Sequence, residues 1–250
     1  MGKVVGLIGA ASGKIGNLVY AVTNGIQVAR VYQPVVSNPK TGLQTMQRAK
    51  GNLAGRISGF TPRTAIMGLG SNNRARRGEF LRNILKKAVV VTQGSNYKAK
   101  IDQSNVLFSQ GSVPISVSLV NASASANSLV VNLRGVPNLE NYAAYQTRIV
   151  VMVYDITTQD LIEVVTHMAV KPDVGGTAGT TIPVMTNNGY FANVYLVPMS
   201  TADGSAVSIT SDVAGLDDTA IAAALSVNGN AIVFNYGRSL YVGQSMYQPA

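Results

Sequence analysis

Residues 37–87 read SNPKTGLQTMQRAKGNLAGRISGFTPRTAIMGLGSNNRARRGEFLRNILKK, and the rest of the chain can be placed around them. Pro39 closes an extended segment, and Thr41 with Gln44 gives the S/T-x-x-E/Q spacing in which side chain and backbone satisfy each other's free donors at a helix start. Leu43, Met46, Ala49, Leu53 and Ile57 then recur at steps of three and four. That spacing predicts a helix with one apolar stripe and with Arg48, Lys50 and Arg56 on its other faces. Gly59, Pro62, Gly68 and Gly70 interrupt the pattern. Ser71 to Asn73 offers N-cap residues for a second helix, whose apolar side is Phe80, Leu81, Ile84, Leu85 and Ala88. Its other side carries Arg74, Arg76, Arg77, Arg82, Lys86 and Lys87.

Working outward, the charge is divided between the two parts of the chain. Residues 1–100 hold 16 Lys and Arg against one acid, Glu79, a balance of +15; residues 101–250 hold 4 against 10, a balance of −6. Such a division implies that one part meets a polyanion while the other faces water or protein. Charged residues make up 12% of the chain, about half the usual share, and a surface so poor in charge implies coverage by neighbours in an assembly. A secreted β-protein with a Ser/Thr-rich surface has a similar composition.

Upstream of the helices, Leu18 to Val22 and Ile26 to Tyr32 flank Asn24-Gly25, a strong hairpin signal, and predict a small N-terminal sheet. Downstream, short strands are expected at Val106–Ser109, Val113–Val120, Ser128–Arg134, Arg148–Asp155 and Leu161–Thr166. More follow at Thr180–Val184, Tyr190–Pro198, Ala206–Thr210, Ala231–Asn235 and Leu240–Gln244, with a short helix at Asp217–Ser226. Turns rich in Asn, Gly, Asp and Ser separate them. The expected class is α+β, mainly β: a basic N-terminal hairpin and helical region over 1–100, then an antiparallel β-sandwich over 101–250, immunoglobulin-like or jelly roll.

Several chemistries fail on the residues present. The chain has no cysteine, so thiolate metal sites, disulfides and cysteine nucleophiles are excluded. Gly6 to Gly16 is not a phosphate loop, because G-x-x-x-x-G-K-S/T needs glycine where Ile8 stands and Ser or Thr where Ile15 stands. A dinucleotide fingerprint with Arg30 at a 2′-phosphate has the wrong glycine spacing, and Asn24-Gly25 cuts the helix it requires. Glycines permitting turns explain the segment better. His167 is the single histidine, so neither a triad nor a multi-histidine zinc site can be built in one chain. Asp217-Asp218, with Asp203 and Asp212, lacks the alternate ligands of a calcium loop. No apolar run reaches the roughly 20 residues that span a bilayer. Glycines 2, 6 and 9 break the N-terminal run that faintly suggests a signal peptide, and Gly6 stands where a myristoylation motif needs Ser or Thr.

Ser12-Gly13-Lys14-Ile15-Gly16-Asn17, the strand bearing Arg30, and Asn38-Pro39-Lys40-Thr41 with Gln44 and Gln47-Arg48 resemble an uncharacterised family of Bacteroidetes genomes and their phages. That family shows a G-K-x-G-N turn and an N-P-x-T-x-x-Q-x-x-Q-R helix start. Val106 to Pro114 and Ser239 to Tyr247 resemble its β-rich half. This chain departs from it in lacking tryptophan and in the long connection from Ser200 to Asn230. The resemblance carries no activity; it implies a phage or prophage context near structural genes.

The expectation is therefore a non-enzymatic virion structural protein, assembled in the host cytoplasm, homo-oligomeric, without cofactor or metal. Its partners would be coat or other virion proteins and nucleic acid bound without regard to sequence. Arg48, Lys50, Arg56, Arg74, Arg76, Arg77, Arg82, Lys86 and Lys87 are the expected polyanion contacts. The alternatives are a bacterial surface or secreted module with a β-sandwich recognition domain, and a nucleotide-dependent enzyme stabilised by NADP. Sparse aromatics in the basic region argue against base stacking there.

Overall fold

The computed structural model describes residues 2–3, 13–23, 26–32, 41–93, 96–137, 139–140, 142–186, 188–204 and 233–249. The chain forms two compact units, residues 1–42 and 43–250, and is mainly β with several antiparallel sheets. The expected elements at Ala206–Thr210 and Asp217–Ser226, and most of Ala231–Asn235, lie outside the described residues.

Among the described residues the first unit contains a four-stranded sheet in the order β1-β4-β3-β2: β1 is Gly2–Lys3, β2 Gly13–Ile15, β3 Leu18–Thr23 and β4 Ile26–Val31. Thr23 opposite Ile26 leaves Asn24-Gly25, itself outside the described residues, as the whole connection between β3 and β4. Gly16 turns β2 into β3 at φ 60°, a left-handed conformation that glycine adopts without steric cost. The Lys14 ammonium lies 3.7 Å from the centre of the Tyr32 ring.

The second unit holds all of α1, Gly42–Phe60, but its first residue, then a 3₁₀ segment at Arg63–Leu69, and α2, Asn73–Lys87. Asn72 caps α2, its side-chain oxygen accepting from the Ala75 N–H at 2.9 Å. A hairpin follows, β5 Val89–Gln93 with β6 Asn96–Lys100. The remaining strands are β7 Val117–Ser125, β8 Ser128–Gly135, β9 Tyr145–Asp155, β10 Leu161–Met168, β11 Thr177–Pro183, β12 Tyr190–Thr201, β13 Phe234–Tyr236 and β14 Leu240–Tyr247. They form a three-stranded sheet, β11-β8-β7, and a five-stranded sheet in which β9 and β12 lie between β10 on one side and β13 and β14 on the other.

Both faces of the larger sheet are covered, which is why β9 and β12 read as continuous apolar runs rather than as alternating strands. One face presents Val150, Met152, Tyr195 and Val197 to Ala54 and Ile57 of α1, Ile66 and Leu69 of the 3₁₀ segment, and Phe80 and Ile84 of α2. The other face presents Ile149, Val151, Val194 and Leu196 to Leu129, Val131 and Leu133 of β8 and Ile182 of β11. Alternation survives on β8, whose Leu129, Val131 and Leu133 are buried at every second position. Phe108 joins the helical core, 5.5 Å from Phe80 and edge-on to Tyr195 at 4.9 Å.

Four expectations change. The helices share a hydrophobic core with the strands, so the boundary expected near residue 100 falls within one compact unit. Leu43 and Leu85, placed on apolar stripes, are 77% and 40% exposed: Leu43 lies in the first turn of α1, far from its buried positions Ala54 and Ile57, and Leu85 lies beside the packed face of α2 that Phe80, Ile84 and Ala88 form. Val106 to Ser109 is not a strand: the N–H groups of Phe108 and Ser109 donate to Ser239 Oγ at 3.0 and 3.4 Å. Pairing of the strand expected from Val113 begins only at Val117, and Gly237 runs so close to the preceding segment that a Cβ there would lie 1.9 Å from the Val113 carbonyl oxygen.

Candidate functional site

The basic residues fall into two groups once their partners are known. On α2, Arg76 donates through Nε to the Gly70 carbonyl at 2.8 Å and reaches Asn73 at 3.3 Å. Arg77 donates to the carbonyls of Ser58 and Thr61, at the C-terminal end of α1, where a cation meets the negative end of the helix dipole. Both side chains therefore tie α2 to the segment before it. Arg74, Lys86 and Lys87 are exposed, as is Arg82, which pairs with Glu79 at 2.5 Å. Arg74, Arg82 and Lys86 are eight and four residues apart, which puts them on one side of α2.

On α1, Arg48 and Arg56 are exposed and Lys50 is half-buried. Arg48, Asn52 and Arg56 follow at steps of four along the outer face. Arg56 donates to Asp160 at 2.9 Å, a pair exposed enough that water screens much of its attraction. Of the nine candidate cations, six are exposed, two are bound to backbone carbonyls and one is half-buried.

Beside Arg56 the structure forms a groove of about 510 Å³ that spacing along the chain did not reveal. Asn52, Leu53 and Arg56 of α1 form one wall, and residues 97–101, on and just after β6, form the other. The turn after β9 supplies Asp160, and β12 supplies Phe191. Lys98 and Lys100 are exposed, and Tyr97 and Phe191 are half-buried. Phe191 stacks on Tyr154, with ring centres 5.0 Å apart and planes 5° from parallel. Among the described residues β6 pairs only with β5, so its other edge is an open row of backbone donors and acceptors. Five consecutive residues of one segment line the groove, which places β6 edge-on to it.

Gln103 fixes the floor. Its Nε2 donates to the Tyr154 hydroxyl at 3.1 Å, and the Tyr195 hydroxyl donates to its side-chain oxygen at 2.8 Å. Burial pushes the Tyr154 phenol up to about 12 and raises that of Tyr195 as well. The short turn bearing Gln103 is held by Asp102, whose carboxylate accepts from the Ser104 hydroxyl at 2.8 Å and the Ser104 N–H at 2.9 Å. Those bonds pull the Asp102 pKa below the usual carboxylate range.

His167 lies on β10 with its Nδ1 3.0 Å from the Met168 carbonyl oxygen. Among the described residues no group of three His, Cys, Asp or Glu is placed to hold a metal ion, and no helix is long and apolar enough to cross a membrane. Comparison with protein-family models, with curated proteins and with solved structures finds no match for this chain.

Proposed function

We propose that this chain is a non-enzymatic structural protein of a phage particle, acting as a minor capsid, decoration or internal protein. Its basic α1 and α2 surfaces contact nucleic acid without regard to sequence, or an acidic face of a neighbouring subunit. The observation that carries the reading is the row of exposed cations, Arg48 and Arg56 on α1 with Arg74, Arg82, Lys86 and Lys87 on α2, in a region whose single acid is Glu79. Arg56 and Arg82 each pair with one acid, Asp160 and Glu79, and the large positive excess of the region as a whole favours a polyanion. The low share of charge over the whole chain supports burial against other subunits, with a homo-oligomer as the simplest case.

The finer fold belongs to the same reading. The sheets of five and three strands enclose one apolar cluster and are read as a β-sandwich, with the helices over the far face of the larger sheet. On this account the β half meets coat or other virion proteins and the helical face meets the polyanion. Light scattering on a sizing column at low and high salt, with absorbance at 260 and 280 nm, tests it. A large or nucleic-acid-laden species that shrinks at high salt is the expected result. A clean monomer of 26.2 kDa at both salts would favour a surface or secreted binding module.

A further inference from the structure

We propose that the groove between α1 and β6 seats single-stranded nucleic acid, with a base against Tyr97 and Phe191 and its phosphate among Arg56, Lys98 and Lys100. This rests on the polyanion reading above and names where and how a strand would be held. The groove gathers three cations and one acid, Asp160, around the same space as aromatic rings drawn from residues 97, 154 and 191. A basic channel lined by aromatic faces is the chemistry by which proteins hold single strands, because every base has a stacking face whatever its identity. In a duplex those faces are already covered.

The remaining lining fits the same ligand. The volume of about 510 Å³ lies within the range of small-molecule sites and suits one nucleotide with its flanking phosphates. Asn52 and Gln159 offer exposed amides that donate or accept at a base edge without selecting one base. The open edge of β6 adds backbone N–H groups that can donate to phosphate or sugar oxygens. Phe191 is held flat against Tyr154, which Gln103 anchors, so the floor of the groove is built before a ligand arrives.

The test is fluorescence anisotropy of a labelled oligothymidylate and of a matched duplex, each titrated with the full chain over a range of salt. Tyr97→Leu keeps an apolar side chain and removes the stacking ring. It is expected to weaken oligothymidylate binding about tenfold and to leave duplex binding unchanged. Lys98→Gln with Lys100→Gln, both at exposed positions that folding does not require, is expected to flatten the single-strand salt slope by about 1.4. Arg134→Gln, an exposed cation on β8, is the control and should change neither. Wild-type binding equal for both nucleic acids, with Tyr97 and lysine variants indistinguishable from it, would overturn the groove while leaving the polyanion reading intact. Tighter binding of oligoglutamate than of oligothymidylate, lost in the lysine variants, would overturn it in favour of an acidic peptide on the β6 edge. Absence of binding to either nucleic acid at low salt would remove both readings.

Discussion

Gly51 and Gly55 lie one turn apart in the middle of α1, and a Cβ built on either meets nothing within 4 Å. A glycine inside a helix costs about 0.8–1.0 kcal/mol relative to alanine, because its backbone loses more freedom on folding and gains no side chain. With open space in front of both positions, Gly51→Ala and Gly55→Ala should add nearly independently. The double variant should then be about 1.6–2.0 kcal/mol more stable than the wild type. For a unit of this size each kcal/mol moves the midpoint by about 2–4 °C, so Tm should rise by roughly 3–8 °C. Thermal melts followed at 222 nm, with urea titrations to confirm an unchanged slope, would measure it. A double variant no more stable than the wild type, or less stable, would refute the reasoning: α1 would then not be a continuous helix with that face open.

Other outcomes follow from single contacts. Phe108→Ala removes a fully buried ring that touches Phe80 and Tyr195, and urea unfolding should show a loss of about 3–5 kcal/mol. Arg77→Met should cost about 1–3 kcal/mol by leaving the Ser58 and Thr61 carbonyls without their donor, yet leave polyanion affinity unchanged; Arg74→Gln should do the reverse. Burial lowers the Lys171 ammonium from 10.5 to about 8 in the folded chain. Between pH 8 and 10.5 the unfolded state then binds more protons, so stability should rise with pH through that window. Tyr154, raised from 10.0 to about 12, makes the folded state the better proton binder above pH 10, so the rise should turn over there. Urea midpoints from pH 7 to 11 test both signs, and Lys171→Met should abolish the rise while keeping the fall.

The helices were readable from the period of their side chains, and most strands from short β-branched or apolar runs set between turn residues. The window Ser71–Asn73 contains the cap Asn72, and the strands read at 128–134, 148–155, 161–166 and 190–198 each fall inside an observed one. Where reading failed, the deciding partner was far away in sequence. Phe108 looked like part of a strand, but its N–H finds Ser239 Oγ, 131 residues on. The β5–β6 hairpin escaped notice because Asn96-Tyr97-Lys98-Ala99-Lys100 has no β-branched residue and is mostly lysine and asparagine, although Tyr97 and Ala99 do alternate with the exposed positions. Arg76 and Arg77 read like every other cation of α2, yet backbone carbonyls occupy them. The groove left no spacing at all, since Arg56, Tyr97, Tyr154, Asp160 and Phe191 come from separate elements.

The most direct test of the account is the salt dependence of duplex DNA binding. Six exposed cations, Arg48, Arg56, Arg74, Arg82, Lys86 and Lys87, set the upper bound, and partners within the fold can hold back Arg48, Arg56 and Arg82. Three to six phosphate contacts give a slope of log K against log salt between about −2.7 and −5.4. Replacing Arg74, Lys86 and Lys87 together by glutamine should flatten it by about 2.7 without lowering Tm. A slope near zero in the wild type, or one that the triple replacement leaves unchanged, would contradict the central claim.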